Sequence, residues 1–214
     1  MALAKYKLGD LLQLCDDRNY DGEYSLEDLK GISIQKRFME TKANMEDVSL
    51  SPYILVEPDS FAYVTVTSRN GEKITIAHNT SAQTYIVSSS YVVFKVKRKS
   101  LLSSDYLFMY FNRPEFDRYA RFHSWGSARE TFDWDAMCDI EIELPDMDVQ
   151  QKYVEIYRSM AANQQSYERG LEELKQTLDI LIDEIKHSVE RKTVAELLTE
   201  VDDRNDSGEI TSVQ

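Results

Sequence analysis

The side chains able to do chemistry fall into three sets, and two of them lack a catalytic arrangement. Asp16, Asp17 and Asp21 crowd one turn-rich stretch with Asn19 and Gly22. They do not make an EF-hand loop, because no Glu closes the loop behind a matching ladder of oxygen ligands. His78, His123 and His187 lack the spacing of a metal cage, and Cys15 and Cys138 lack a CxxC partner. No metal and no cofactor is expected, and the two thiols read as reduced. There is no GxGxxG loop, no Walker A lysine, no Asn/Asp-Pro-Pro-Tyr methyltransferase motif and no Ser/His/Asp or Cys/His set. An enzyme acting alone is not expected. The third set is cationic. Lys36, Arg37 and Lys42 share a polar loop opposed only by Glu40. Arg69 and Lys73 flank an Asn70-Gly71 turn. Lys95, Lys97, Arg98 and Lys99 close a strand-like run, and Arg121, His123, Ser127 and Arg129 surround a loop that contains Trp125. Each cluster alone resembles an ordinary solvated face.

Charge distribution gives these cations their interest. The chain of 214 residues carries a net charge of −13. Residues 1–140 hold 17 Lys and Arg against 20 Asp and Glu, a balance of −3; residues 141–214 hold 8 against 18, a balance of −10. The acidity sits mainly in the last third, so the first part can meet a polyanion. With 42% hydrophobic and 29% charged residues, the chain reads as a folded, cytoplasmic protein. No apolar run is long enough to span a bilayer, Met1–Leu12 does not read as a secretory signal, and no membrane partner is expected.

The elements that must position the cations follow from local patterning. Leu3–Leu14 reads as a short opening element anchored by Leu8, Leu11 and Leu12. Leu29–Ile34, Tyr53–Val56, Phe61–Thr67, Lys73–Ala77, Thr84–Val87 and Tyr91–Val96 have the β-branched and aromatic content of strands. Gln35–Asn44 reads as a polar loop. Asp105–Phe111 and a second piece ending near Phe122 read as helices, His123–Thr131 as a loop, and Asp139–Leu144 as a last strand stopped by Pro145. Strands first and helices after predict an α+β head with a mixed sheet and short helices. Trp125 and Phe132 are expected as core or loop anchors rather than stacking platforms.

Beyond Pro145 the period changes. Tyr153, Tyr157, Met160, Gln164, Tyr167, Leu171, Leu174, Leu178, Leu181 and Ile185 alternate at spacings of four and three. That is the a/d seam of a coiled coil, and a stripe this narrow predicts another helix as its partner. Gln164 is the polar break that can fix register. Glu168, Glu172, Glu173, Asp179, Asp183 and Glu184 supply an acidic outer surface.

The end of the chain echoes its beginning. Leu11-Leu12 matches Leu197-Leu198, Asp16-Asp17-Arg18-Asn19 matches Asp202-Asp203-Arg204-Asn205, and Gly22-Glu23 matches Gly208-Glu209, all at one offset. The layout is one full unit followed by the opening of a second. The expected division is a head at 1–145, a coiled-coil helix at 146–190 and the start of a second, truncated repeat at 191–214.

This ordered set resembles the specificity (S) subunits of Type I restriction-modification systems, in a half-length form. The likeness is carried by Lys7-Leu8-Gly9-Asp10-Leu11-Leu12, by Gly31-Ile32-Ser33 before a basic loop, and by Arg69-Asn70-Gly71, His78-Asn79 and Ile86–Phe94. Ile142-Glu143-Leu144-Pro145, leading through Gln150-Gln151 into the long helix, completes it. The resemblance implies a non-catalytic subunit whose head, a target recognition domain, reads one half of a split double-stranded DNA target. It implies that the coiled-coil spacer sets the distance between half-sites and docks methyltransferase (M) subunits, which restriction (R) subunits then join. On that footing Lys36, Arg37, Lys42, Arg69, Lys73, Arg121 and Arg129 are the expected DNA contacts, with Gln35, Asn44, Asn79 and Gln83 suited to adenine edges. Full-length members carry two heads and two antiparallel spacers, so one head and one spacer implies a homodimer through the seam or pairing with another chain. An alternative is an interaction protein that competes with or regulates a full-length specificity subunit.

Overall fold

The computed structural model describes residues 3–41, 48–67, 73–126, 129–188, 192 and 194–198. The chain divides into two compact units, Met1–Met160 and Ala161–Gln214. In the first, β1 (Ala4–Lys7), a one-turn helix α1 (Leu8–Leu11) and β2 (Leu12–Cys15) open the chain. There follow β3 (Lys30–Ile32), β4 (Phe38–Glu40), β5 (Ile54–Val56), β6 (Ser60–Val64), β7 (Ile76–His78), β8 (Tyr85–Val87) and β9 (Tyr91–Val96). Helices α2 (Ser104–Phe111), α3 (Pro114–Phe122) and α4 (Trp134–Cys138) precede β10 (Glu141–Leu144) and the long α5 (Met147–Ser188). Strands β3 and β5 to β10 and helices α2 and α3 lie where the sequence pattern puts them. The architecture is the α+β head followed by a long helix.

The central sheet has the order β2-β9-β6-β7, and β3-β4, β5-β8 and β1-β10 are separate antiparallel pairs. Three features are not visible in local sequence. β1 pairs with β10, Ala4 opposite Leu144, which closes the head with its own first strand. β4 folds back on β3, Phe38 opposite Ile32, so the stretch read as a polar loop is a hairpin. α4 is one short helix, capped by Asp133, whose carboxylate accepts from Ala136 N at 2.8 Å.

Aromatic packing explains why these short elements hold. Phe61 and Phe94 stack at 5.0 Å between centroids across β6 and β9, and Phe111 of α2 meets Phe94 edge-on. Leu8, Leu11, Phe116 and Phe132 complete this core without exposure. Gly9 is required here, because a Cβ on it would sit 2.9 Å from the Cβ of Cys138. The recurring Asp-Asp-Arg-Asn motif is a loop clamp in its first copy. Asn19 is buried, donates to Tyr24 O at 2.8 Å and accepts from Tyr24 N at 3.0 Å, while Arg18 grips Asp16 at 2.6 Å. Among the described residues no three His, Cys, Asp or Glu side chains converge as a metal site.

The root of α5 belongs to the first unit. Gln150 is fully buried: its amide donates to Leu101 O at 2.8 Å and Pro145 O at 2.9 Å, and its oxygen accepts from Ser103 N at 3.0 Å. Arg158 pairs with Asp105 at 2.7 Å. Within the second unit, Leu171, Leu174, Leu178, Leu181 and Ile185 are 48–64% exposed. α6 (Val194–Leu197) stands at the same place in the repeat as α1. The matching motif at 202–209 lies outside the described residues. Among the described residues no helix is long and apolar enough to cross a membrane.

Candidate nucleic-acid interface

The head's cations gather around one cleft of about 640 Å³. Its walls come from parts of the chain far apart in sequence: Gln35 and Lys36 from the β3–β4 turn, Lys73 before β7, and Arg118 and Arg121 from α3. α3 starts cleanly because Pro114 occupies its first turn, with Glu115 and Asp117 favoured near its positive end. Its inward face buries Phe116, Asp117 and Ala120, which turns Arg118 and Arg121 outward.

Lys36 departs from the expectation of a phosphate contact. It is 4% exposed, and its ammonium donates to Phe111 O at 2.6 Å and to Asp117 Oδ1 at 2.7 Å. Asp117 Oδ1 also accepts from Ile74 N at 3.1 Å. Burial pushes the Lys36 pKa below its ordinary value against the pull of Asp117, and the charge of Lys73 pushes the same way. The backbone of Lys36 has φ of +61°, a region that costs a lysine about 1 kcal/mol. Such a turn holds because the side chain is anchored on α3. Lys36 therefore shapes the interface and does not meet phosphate, since both its charge and its donors are engaged inside the head.

The neutralisation of Asp117 leaves the cleft cationic. Arg37 is exposed at the end of the turn, where Ser33 N donates to Arg37 O at 2.9 Å. Lys73 is exposed on the cleft wall. Arg118 meets Glu115 at 3.2 Å and Arg121 meets Glu130 at 3.8 Å. Both pairs are solvent-exposed, worth about 0–1 kcal/mol, so an incoming phosphate can replace either carboxylate at little cost. Arg129 is exposed in the loop after α3, beside Gly126, whose φ of +129° and approach to Arg129 O exclude a side chain. The structure thus brings Lys36, Lys73 and Arg121 to one cleft, with Arg37 next to it. Lys42, Arg69, Asn44 and Ser127 lie outside the described residues.

Other expected contacts are engaged elsewhere. Asn79 is buried, donating to Val56 O at 2.9 Å and Gln83 O at 2.8 Å while accepting from Ser81, so it cannot read an adenine edge. The cations at the end of β9 do not line this cleft: Lys95 pairs with Glu57 at 3.0 Å, Lys97 donates to Gly9 O at 3.1 Å, and Lys99 pairs with Asp59 at 2.7 Å, the two ion pairs being solvent-exposed like those of Arg118 and Arg121. His123 stacks on Tyr119 at 3.9 Å. Phe132 is core, as expected, while Trp125 is 70% exposed outside the core and ties its loop through its backbone, paired with Thr131 at 3.0 and 2.8 Å. Sequence reasoning missed Arg118 and Phe122. Their signal was available: on a helix whose buried face is Phe116, Asp117 and Ala120, a phenylalanine at 122 is out of phase with the core.

No protein-family profile and no curated protein matches this chain. Solved structures do. A chain from work on complex assembly and conformational transition of the type I R-M system aligns with TM-score 0.51 and 12% identity, over 84% of this chain and 43% of that one. The Type I restriction-modification S subunit of M. genitalium aligns at 0.47 and 9%, over 76% and 40%. The HsdS subunit of Thermoanaerobacter tengcongensis aligns at 0.41 and 13%, over 75% and 38%. The chain spans less than half the length of each of these three solved chains. The first of these shares the fold of this chain, an α+β head followed by a long helix.

Proposed function

We propose that this chain is a non-catalytic, cytoplasmic DNA-specificity subunit of a Type I restriction-modification complex. Its head, residues 1–145, reads one half of a bipartite double-stranded target. The spacer, residues 146–190, joins a second head through the seam and docks M subunits, and R subunits join through them. Residues 191–214 are the start of a second repeat. The observation that carries the reading is the cleft: Lys73 from the approach to β7 and Arg118 and Arg121 from α3 line it together although the sequence scatters them, and exposed Arg37 follows the buried Lys36 in the adjoining turn. Phosphate contacts fix register on a duplex, and cations drawn from separate segments give such register in three dimensions. Arg37, Lys73, Arg121 and Arg129 serve as phosphate contacts, and Lys42 and Arg69 join them. A homodimer with two-fold symmetry reads a palindromic split site.

The test is co-expression with the cognate methyltransferase, followed by mapping of methylated bases. A new bipartite site is the expected result. With purified complex, Arg37→Ala and Lys73→Ala each lower DNA affinity and reduce the slope of log K against log salt by about one. Affinity and slope unchanged in both variants would remove the cleft from DNA. A chain that displaced a full-length specificity subunit without creating a methylated site would be the competitor instead.

A further inference from the structure

The cleft also carries apolar groups that phosphate binding does not use. Phe122, the last residue of α3, is 82% exposed and lines the same wall as Arg118 and Arg121. Ile34, 54% exposed, lines the opposite side from the β3–β4 turn. Neither fills a gap in the core, which Phe116 and Phe132 close beneath them. Phe122 touches only the ring of the adjacent His123, edge-on at 5.1 Å, among the ring contacts of the described residues. The turn that presents Ile34 is held in its unusual backbone conformation by the buried Lys36–Asp117 pair. Two exposed apolar groups thus line a cationic cleft.

We infer that Phe122, with Ile34 beside it, is the apolar reader of this cleft and presses on DNA bases, while the surrounding cations hold the phosphates. This rests on the DNA-reading function proposed above and assigns a division of labour within it. Charge complementarity selects the occupant. A hydrophobic patch ringed by Lys73, Arg118 and Arg121 suits a polyanion that carries apolar groups between its charges, and a duplex presents thymine methyl groups on its base edges in the major groove. Apolar contact with a base edge depends on sequence and adds nothing to the salt slope, because it neutralises no phosphate. The two kinds of residue therefore have separable signatures.

The experiment uses the full chain assembled with its methyltransferase, a duplex holding the mapped methylation site, and a shuffled duplex of the same length. Phe122→Ala is expected to lower affinity for the site duplex by about tenfold, with unchanged binding to the shuffled duplex and an unchanged salt slope. Phe122→Trp retains most of the affinity. Arg118→Ala instead weakens both duplexes and lowers the slope by about one. The exposure of Phe122 means that these substitutions leave the fold intact, and a thermal melt checks this. Wild-type affinity in Phe122→Ala, or an equal loss on both duplexes, overturns the inference. So does loss of methyltransferase assembly with DNA selectivity preserved, which would make Phe122 a protein contact. If the wild-type complex binds neither duplex in a salt-dependent way, the DNA-reading function itself falls. Normal site binding with a silent Phe122 sinks only the apolar reader.

Discussion

The head and the long helix treat their apolar residues in opposite ways. In the head, Leu8, Leu11, Phe61, Phe94, Phe111 and Phe132 have no exposure, and even a lysine and an aspartate are drawn inside. Within 161–188 of α5, the seam leucines and Ile185 are roughly half exposed or more. The head buries a continuous core and leaves single apolar groups such as Ile34, Phe122 and Trp125 outside it; along 161–188 the described side chains meet in exposed pairs such as Lys175–Glu172 at 3.9 Å and Gln164–Glu168 at 2.9 Å. Helices of this length gain most of their stability from packing. The difference teaches that the two regions need different things to hold their shape: the head needs its own sequence, and the seam needs another helix.

The largest effect should come from breaking the seam. On the proposed homodimer, Leu174→Asp with Leu178→Asp would remove two leucines from the seam of each helix, both exposed in the single chain. At about 1.5–3 kcal/mol for each leucine, the loss is at least about 6 kcal/mol. That weakens association by about four orders of magnitude or more. Sedimentation should show a monomer at concentrations where the wild type is a dimer, while the melting of the head is unchanged. A variant that stays dimeric would show that the seam is not the contact. A variant whose head melts early would show that the two regions are not energetically separate.

Next in size is the buried pair. Lys36→Ala leaves Asp117 without its ammonium at a site about 8% exposed. Breaking one side of such a pair costs about 3–5 kcal/mol. Urea denaturation should show the loss in the head's transition. The double variant Lys36→Met, Asp117→Asn should recover most of it, because an asparagine oxygen still accepts from Ile74 N and no charge is left buried. A single variant with the wild-type urea midpoint would show that the pair does not anchor the turn. Arg37→Ala, one residue away, should leave the midpoint alone, since Arg37 is exposed.

That contrast between neighbours marks the limit of what could be read from sequence. Heptad spacing from Tyr153 to Ile185, the strand Tyr91–Val96 and helix α2 were legible, because one local period specifies each. The pairing of β1 with β10 was not, since it joins ends of the head with no local signal. β4 was hidden because Phe38-Met39-Glu40 is too short to show alternation. Lys36 and Arg37 read alike in a polar stretch, and the partner that separates them, Asp117, lies 81 residues away. The cleft followed the same rule: each cluster was visible, their convergence was not. Phe122 could have been found, as an apolar residue on the wrong face of an amphipathic helix.

The smallest effect tests the same division by pH. His78 is buried in the head, stacked on Phe61 at 4.4 Å, with Nε2 against Asp59 Oδ1 at 3.0 Å and Nδ1 3.9 Å from Asp105. Burial pushes the His78 pKa below its ordinary 6.5, and Asp59 and Asp105 only partly restore it. Asp59 is itself penalised by burial, yet bonds from Lys99, Ser104 and His78 hold its carboxyl below the usual range. The unfolded chain therefore binds a proton at His78 more readily than the folded head does. Stability from this group is full above pH 6.5 and is lost as pH falls from there toward the lower folded value. The urea midpoint of the head should drop between pH 7.5 and 5.5, and the drop should be smaller in His78→Phe, which keeps the stack on Phe61. Equal pH dependence in the two proteins would mean that His78 binds its proton equally well in the folded and unfolded chain. No histidine occupies the seam between Tyr153 and Ile185, so this part of the drop belongs to the head and should be the same in a Leu174→Asp, Leu178→Asp background.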